Sequence, residues 1–291
     1  MKKRMLWMLA AILTTSGAMA QVADDETVTP YFTSKEMPDM RHFLPAPPDT
    51  IGALFTHDIM QYMWGKTQRL DPVRCDIAKR DAVYGLDCII QEFSEPFGLQ
   101  ISKEETPEIY RVLRDGTATC DSICKEPKSF YMRRRPFDRF NEHTLTPEDE
   151  PALLVNGSYP SGHTILGWSS ALLLTEINPD RADTIMARGY MYGESRVIVG
   201  AHWQSDVDAG RLVASVAYAK LHTSEAFLQQ MAKARAEFLE KTGQTTGVRL
   251  QAAQQPTTAT AGGTYTLNGT PATESQRGIV IRDGQKMLVN K

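Results

Sequence analysis

From about Thr50 to about Thr242 the apolar residues recur at intervals of three and four, the spacing of one face of a helix. Ile51, Leu54, Phe55, Ile59 and Met63 form the first such run, and Asp71-Pro72 ends it and starts the next. Thr106-Pro107-Glu108 reads as a cap, a first-turn proline and an acid, followed by Ile109, Val112 and Leu113 on one face. Thr146-Pro-Glu-Asp149 has the pattern of a capping box. Ser161-Gly162 precedes a run through Ile165, Leu166, Trp168, Leu172, Leu173 and Ile177, and Asn178-Pro179-Asp180 and Thr223-Ser224-Glu225 open two further helices. No segment before about residue 240 alternates with period two between turn signals, and no internal repeat interrupts the pattern. Residues 50–242 are therefore expected to form one all-α, multi-helix domain around an apolar core.

The pattern fails at both ends. Lys2, Lys3 and Arg4 precede an apolar run from Met5 to Leu13, and Ala18-Met19-Ala20 follows, so 1–20 reads as a secretory signal peptide cut after Ala20. Residues 21–49, rich in Pro, Asp and Thr, read as an extended N-terminal arm laid over the domain or left mobile. Residues 243–276 hold Gly, Thr, Gln and Ala with almost no large apolar side chains and read as a flexible linker. The tail, 277–291, places two short apolar stretches around Asp283-Gly284, the signature of a β-hairpin.

Composition adds an address and some exclusions. Losing the leader removes three positive charges and no acid, moving the formal net charge from −3 to −6. A mildly acidic mature chain is a poor partner for nucleic acid or anionic membrane surfaces. No later stretch is apolar and long enough to span a bilayer. Cys75, Cys88, Cys120 and Cys124 form an even set in an exported chain, which predicts two disulfides. Three pairings are possible, of which Cys75–Cys88 with Cys120–Cys124 is simplest. Zinc is the weaker alternative, because neither pair has finger spacing and no histidine lies near.

The candidate chemistry lies in three stretches. In Gly193 to Asp206, Ser195 and Arg196 precede His202, and Asp206 follows it four residues later. On a helix, positions i and i+4 share a face, so Asp206 can fix the tautomer of His202 and leave its other ring nitrogen with a lone pair. A carboxylate–histidine pair beside an arginine suits attack on a phosphate, although such pairs also occur on plain helix surfaces. In Asn156-Gly-Ser-Tyr-Pro-Ser-Gly-His163, Ser161 and Gly162 stand at a helix N-terminus, where free N–H groups and the helix dipole favour an anion. His163 in the first turn is placed to donate a proton there; the plainer reading is a capping serine and an exposed histidine. In Lys128-Ser-Phe-Tyr-Met-Arg-Arg-Arg-Pro136, Lys128 and Arg135 can clamp an anion from one side, whereas a short basic run is ordinarily a solvated face.

Taken in order, Lys128 with six residues before Arg135-Pro136, then Pro160-Ser-Gly-His163, then Ser195-Arg196 with five residues before His202 and three more before Asp206, resemble the three-part signature of the PAP2 acid phosphatase and vanadium haloperoxidase superfamily. The flanks, among them Leu-Thr-Glu-Ile-Asn-Pro and His-Trp-Gln-Ser-Asp-Val-Asp-Ala, are similar to the bacterial class A non-specific acid phosphatases from about Leu44 to Lys241. The resemblance implies an exported, PAP2-type helical enzyme acting on phosphomonoesters such as nucleotides and sugar or aryl phosphates, often dimeric or larger, so a periplasmic homo-oligomer is expected. It also implies roles: Lys128, Arg135, Ser161, Gly162 and Arg196 bind phosphate, His202 attacks phosphorus, Asp206 orients it, and His163 protonates the leaving oxygen and later activates water. No metal or other cofactor is then needed, since three cations and a helix N-terminus can neutralise the transferring group. Transfer of the phosphoryl group to alcohols fits the same chemistry. A neutral His202 with a protonated His163 predicts a bell-shaped rate in mild acid. The stretch Tyr84-Gly85-Leu86-Asp87-Cys88 departs from its more glycine- and serine-rich counterparts near the pocket, which bears on substrate range. The alternatives are a vanadate-dependent haloperoxidase built on the same cage and a periplasmic phosphate-binding module without turnover; retaining both histidines speaks against the last.

Overall fold

The structure is a computed structural model that describes residues 27–48, 50–244, 264–266, 271–273, 278–282 and 285–289. The expected leader at 1–20, much of the expected linker and the Asp283-Gly284 turn lie outside the described residues.

Helices α1 (Ala53–Gln68), α2 (Pro72–Arg80), α3 (Leu86–Phe97), α4 (Pro107–Asp121), α5 (Lys125–Tyr131), α6 (Pro136–Phe140), α7 (Glu150–Leu154), α8 (Gly162–Ile177), α9 (Ala182–Val199), α10 (Gln204–Leu221) and α11 (Glu225–Thr242) follow one another with short connections. The local reasons are those the punctuation of the sequence supplies. Asp71 caps α2 by accepting from the N–H groups of Val73 and Arg74, with Pro72 behind it. Gly98 closes α3 in the left-handed region at φ 84°. The first turn of α4 is capped from a distance, by Glu237 accepting from the N–H groups of Glu108 and Ile109.

The core is organised around α8, which packs against α4, α9 and α10. Its buried residues, from Gly162 through Ile165, Leu166, Ala171, Leu173 and Leu174 to Ile177, run all round its axis. That is the pattern of a central helix, and it sets the N-terminus of α8 inside the protein. The N-terminal arm joins the core from residue 27 onward. Its Thr29 and Tyr31 N–H groups bond Asp115 and Thr119 of α4, and Met37 and Met40 are buried.

Three details differ from expectation. The four cysteines are free thiols, so the two predicted disulfides are not formed. Cys88 donates to the Arg80 carbonyl and lies against the Tyr192 hydroxyl, while Cys124 turns to Asp121. Burial pushes the thiols of Cys120 and Cys124 up to about 12, so each is held as a neutral apolar-site thiol. Thr146 makes no capping box: Pro147–Asp149 is a single 3-10 turn and the Thr146 hydroxyl is buried without a partner. In α1 the apolar run is only partly covered, with Leu54 and Met63 exposed, and the buried face is Phe55, Asp58, Tyr62 and Gly65. A charged residue is thus chosen over two apolar ones, for a reason given by the site.

The C-terminal unit is described by itself. Strands β1 (Thr264–Thr266), β2 (Gly278–Arg282) and β3 (Gln285–Val289) form an antiparallel sheet in that order, with Arg282 opposite Gln285 at the hairpin end. The hairpin matches the sequence pattern. The strand β1 falls inside the stretch read as linker; three residues of Thr-Tyr-Thr carry too short an alternation to detect.

Candidate active site

Three chain segments converge on the buried N-terminus of α8. Ser161 is its N-cap and is fully buried; its Oγ accepts from the Thr164 N–H at 3.3 Å and from the Thr164 hydroxyl at 2.9 Å. The Ser161 N–H is itself bonded to the Asp206 carbonyl at 3.0 Å, which ties the two stretches together. Gly162 and His163 are then the first-turn residues whose N–H groups have no carbonyl within the helix.

Lys128 stands in the last turn of α5 and Arg135 just before α6. Gly157 packs so closely on the end of α5 that a Cβ there would meet the Lys128 carbonyl and the Met132 Cα. This contact brings Lys128 Nζ to the carbonyls of Gly157 (2.9 Å) and Ser158 (3.4 Å). Arg135 donates to the carbonyls of Leu153, Asn156, Gly157 and Ala201, and its Nη1 lies 3.1 Å from His202 Nε2. Arg196, in the last turn of α9, is 1% exposed and its Nε and Nη1 have no partner. All three cations are buried, and none makes an ion pair with a carboxylate among the described residues. Burial accordingly lowers them, Lys128 to about 8 and Arg135 and Arg196 to about 10. An arriving anion would relieve that penalty.

His202 does not sit on a helix face with Asp206, contrary to the i, i+4 reading. Gly200, at φ 89°, ends α9, and the chain turns through Ala201 and His202 before α10 begins at Gln204. Only after that turn does Asp206, in the first turn of α10, reach back, its Oδ2 accepting from the Trp203 N–H at 2.9 Å and lying 3.2 Å from His202 Nδ1. The tautomer follows from the partners. A guanidinium only donates, so Nε2 next to Arg135 Nη1 is the unprotonated nitrogen and Nδ1–H donates to Asp206. Burial and then the charges of Arg135, Lys128 and Arg196, against a hydrogen bond to the Ser158 backbone, hold this ring well below the usual histidine range and favour its neutral form.

His163 is also depressed, by burial first and then by Arg196, with His202 and Lys128 adding to the effect. Its Nε2–H donates to the Ala82 carbonyl at 2.9 Å, and Tyr84 lies edge-on to the ring at 4.8 Å. The nitrogen left over is Nδ1. The structure thus brings together Lys128, Arg135, Ser161, Gly162, His163, Arg196, His202 and Asp206, with His163 anchored through Nε2 rather than free.

Two networks behind the site were not foreseen. Arg133 Nη1 pairs with Asp206 Oδ1 at 2.5 Å and its Nη2 with Asp58 at 2.7 Å, while Asp58 also accepts from the Ser205 N–H and hydroxyl. This is why α1 buries Asp58. A lone acid between Phe55 and Tyr62 on an apolar face was the available signal. Further out, Ser195 donates to Asp81 and accepts from Arg74, and Arg188 pairs with Asp81 and Glu92, locking α9 to α2 and α3. Ser195 therefore belongs to the scaffold.

Buried cations without ion-paired carboxylates, set around a histidine at a helix N-terminus, have the chemistry to receive an anion. The model of the PAP2 superfamily matches residues 116–226, which include all three stretches. The chain is 40% identical over 244 residues to the non-specific acid phosphatase of Providencia stuartii, covering 82% of this chain and 98% of that one. It is 41% identical over 224 residues to the non-specific acid phosphatase of Salmonella typhimurium (77% and 89% covered) and 33% identical over 238 residues to the acid phosphatase of Zymomonas mobilis (81% and 89%). The chain belongs to the PAP2 superfamily and, within it, to the bacterial non-specific acid phosphatases.

Proposed function

We propose that the chain is an acid phosphatase that hydrolyses phosphomonoesters through a phosphohistidine formed on His202. The observation that carries this reading is the tautomer of His202: a buried, neutral ring whose Nε2 lone pair is turned to Arg135 while Asp206 holds Nδ1–H. Lys128, Arg135, Arg196, the Ser161 hydroxyl and the N–H groups of Gly162 and His163 hold the phosphoryl oxygens and offset their charge. The Nε2 lone pair forms the N–P bond as the P–O ester bond breaks, and the leaving oxygen takes a proton from His163. An anion in the cage favours a charged ring, so His163 takes up that proton as the substrate binds. Protonated, it donates from Nδ1 while Nε2–H stays on Ala82. Water then loses a proton to His163 and attacks phosphorus, the N–P bond breaks, and phosphate leaves. An alcohol in place of water would give phosphoryl transfer by the same steps.

Export to the periplasm through cleavage after Ala20 is part of the reading and is supported by the composition of 1–20. Self-association is supported by the apolar side chains left in solvent around α1, Ile51, Leu54, Met60 and Met63; sedimentation of the purified chain tests it. The test of function is release of p-nitrophenol from its phosphate ester by wild type and His202→Ala. Turnover is expected to fall at least ~10³-fold while the melting transition is kept. Near-wild-type turnover in a folded variant would remove His202 as nucleophile.

A further inference from the structure

One acidic residue borders the cage and has no part in the steps above. Asp121 is the last residue of α4. Its Oδ1 lies 3.4 Å from the point a Cβ would occupy on Gly162, and Lys128 Cε lies 3.8 Å from the same point. A carboxyl and a phosphate-binding lysine thus flank the first residue of α8 together. Unlike Asp58, Asp81 and Asp206, Asp121 has no cation in ion-pair contact among the described residues. Its hydrogen-bond partners are neutral groups, the Tyr84 hydroxyl and, at 3.5 Å, the Cys124 thiol, a weak donor.

The groups facing it come from every element around it. Tyr84 approaches from the loop before α3, Cys124 from the 3-10 turn after α4, and Lys125 and Lys128 from α5. Cys120 neighbours it on α4 itself. Burial raises the carboxyl above the usual carboxylate range, against the opposing pull of Tyr84, Cys124 and the two lysines. It therefore keeps its proton to higher pH than an ordinary carboxyl and gains its charge as the pH rises.

We propose that Asp121 determines how the anion site responds to pH: uncharged, it is part of the wall against which phosphate seats, and ionised, it repels the phosphate and competes with it for Lys128. This rests on the reading that phosphate binds at Gly162 and Lys128. Two like charges this close, partly shielded from water, interact strongly enough to change affinity by roughly tenfold. Linkage makes the effect reciprocal, so bound phosphate keeps Asp121 protonated to higher pH.

The experiment is competitive inhibition by inorganic phosphate of p-nitrophenyl phosphate hydrolysis between about pH 5 and 8, with wild type, Asp121→Asn and Arg196→Met. Phosphate titrates identically in every assay, so the ratio of inhibition constants for wild type and Asp121→Asn isolates the carboxyl. At the acid end the two are expected to agree within about twofold in inhibition constant and kcat. Towards neutrality the wild-type constant is expected to rise roughly tenfold more than the variant's, with the kcat ratio unchanged. A ratio that stays flat with pH, or a variant impaired equally at every pH, overturns the proposal. If Arg196→Met leaves phosphate inhibition unaltered, the cage itself is misplaced, an outcome separate from the first. Asp121→Ser carries the same test should the Asn variant not fold.

Discussion

Arg133 and Arg135 stand on one short loop, both buried, and meet opposite surroundings. Arg133 is held between two carboxylates, Asp58 and Asp206, in close ion pairs. Arg135 has none and spends its donors on four backbone carbonyls and the lone pair of His202. Arg134 between them points outward and pairs with Asp138. The same division runs through the rest of the interior: Arg188 is paired with Asp81 and Glu92, whereas Lys128 and Arg196 make no ion pair among the described residues. A buried cation with its own carboxylate is satisfied and can only position what surrounds it. A buried cation without one retains its unbalanced charge for an incoming anion, at the cost of a lowered pKa.

This contrast can be broken by exchanging the two kinds of arginine for methionine. Arg196→Met is expected to lower kcat/KM for p-nitrophenyl phosphate by ~10²–10³, the scale of losing one preorganised charge at a transition state. Its unfolding free energy should be unchanged or higher, because an unpaired charge leaves the interior. Arg133→Met is expected to lose about 3–5 kcal/mol of stability in denaturant titration, since Asp58 and Asp206 are left buried without their partner. Combining it with Asp58→Asn should recover part of that loss. Equal stability of the two single variants would erase the distinction.

A smaller effect is the response of stability to pH. His202 and His163 are both depressed in the fold, so the unfolded chain binds more protons in the window between their folded values and about 6.5. Their contribution is complete above about 6.5 and is lost as the pH falls through that window. The melting temperature of wild type should therefore fall more steeply in this range than that of His202→Gln, and saturating phosphate should flatten the fall. A steeper slope in the variant would contradict the neutral assignment of His202. Smallest of all is the effect of reductant. With four free thiols, dithiothreitol should leave activity and melting unaltered, and thiol titration of the unfolded chain should count four.

How much of this was legible in the sequence depended on whether a signal was local. Asp71, Ser161 and Pro107 announce their helices because a cap or a first-turn proline acts within a few residues, and the unbroken apolar run after Gly162 announces the central helix. The cage residues were legible as three spaced stretches, each weak alone. What was missed is non-local. Asp58 meets Arg133 across 75 positions, and Asp81 meets Ser195 across 114. Neither spacing leaves a periodic trace. The i, i+4 relation of His202 and Asp206 led to the right hydrogen bond for the wrong reason. The contact spans a turn enforced by Gly200, and Asp206 is divided between His202, the Trp203 N–H and Arg133. Even cysteine number predicted pairing, but the side chains of Cys88, Cys120 and Cys124 each find separate buried neighbours.

Whether phosphorus is ever bonded to His202 is tested most directly by trapping. Enzyme mixed with a phosphorus-labelled monoester at acid pH and quenched within milliseconds in alkali, where a phosphoramidate survives, is digested and its labelled peptide sequenced. The label is expected on Nε2 of His202 in wild type, absent in His202→Ala, and accumulated in His163→Ala supplied with an ester whose leaving group needs no proton. Label on His163, or no labelled peptide in any of the three while wild type turns over, would contradict it.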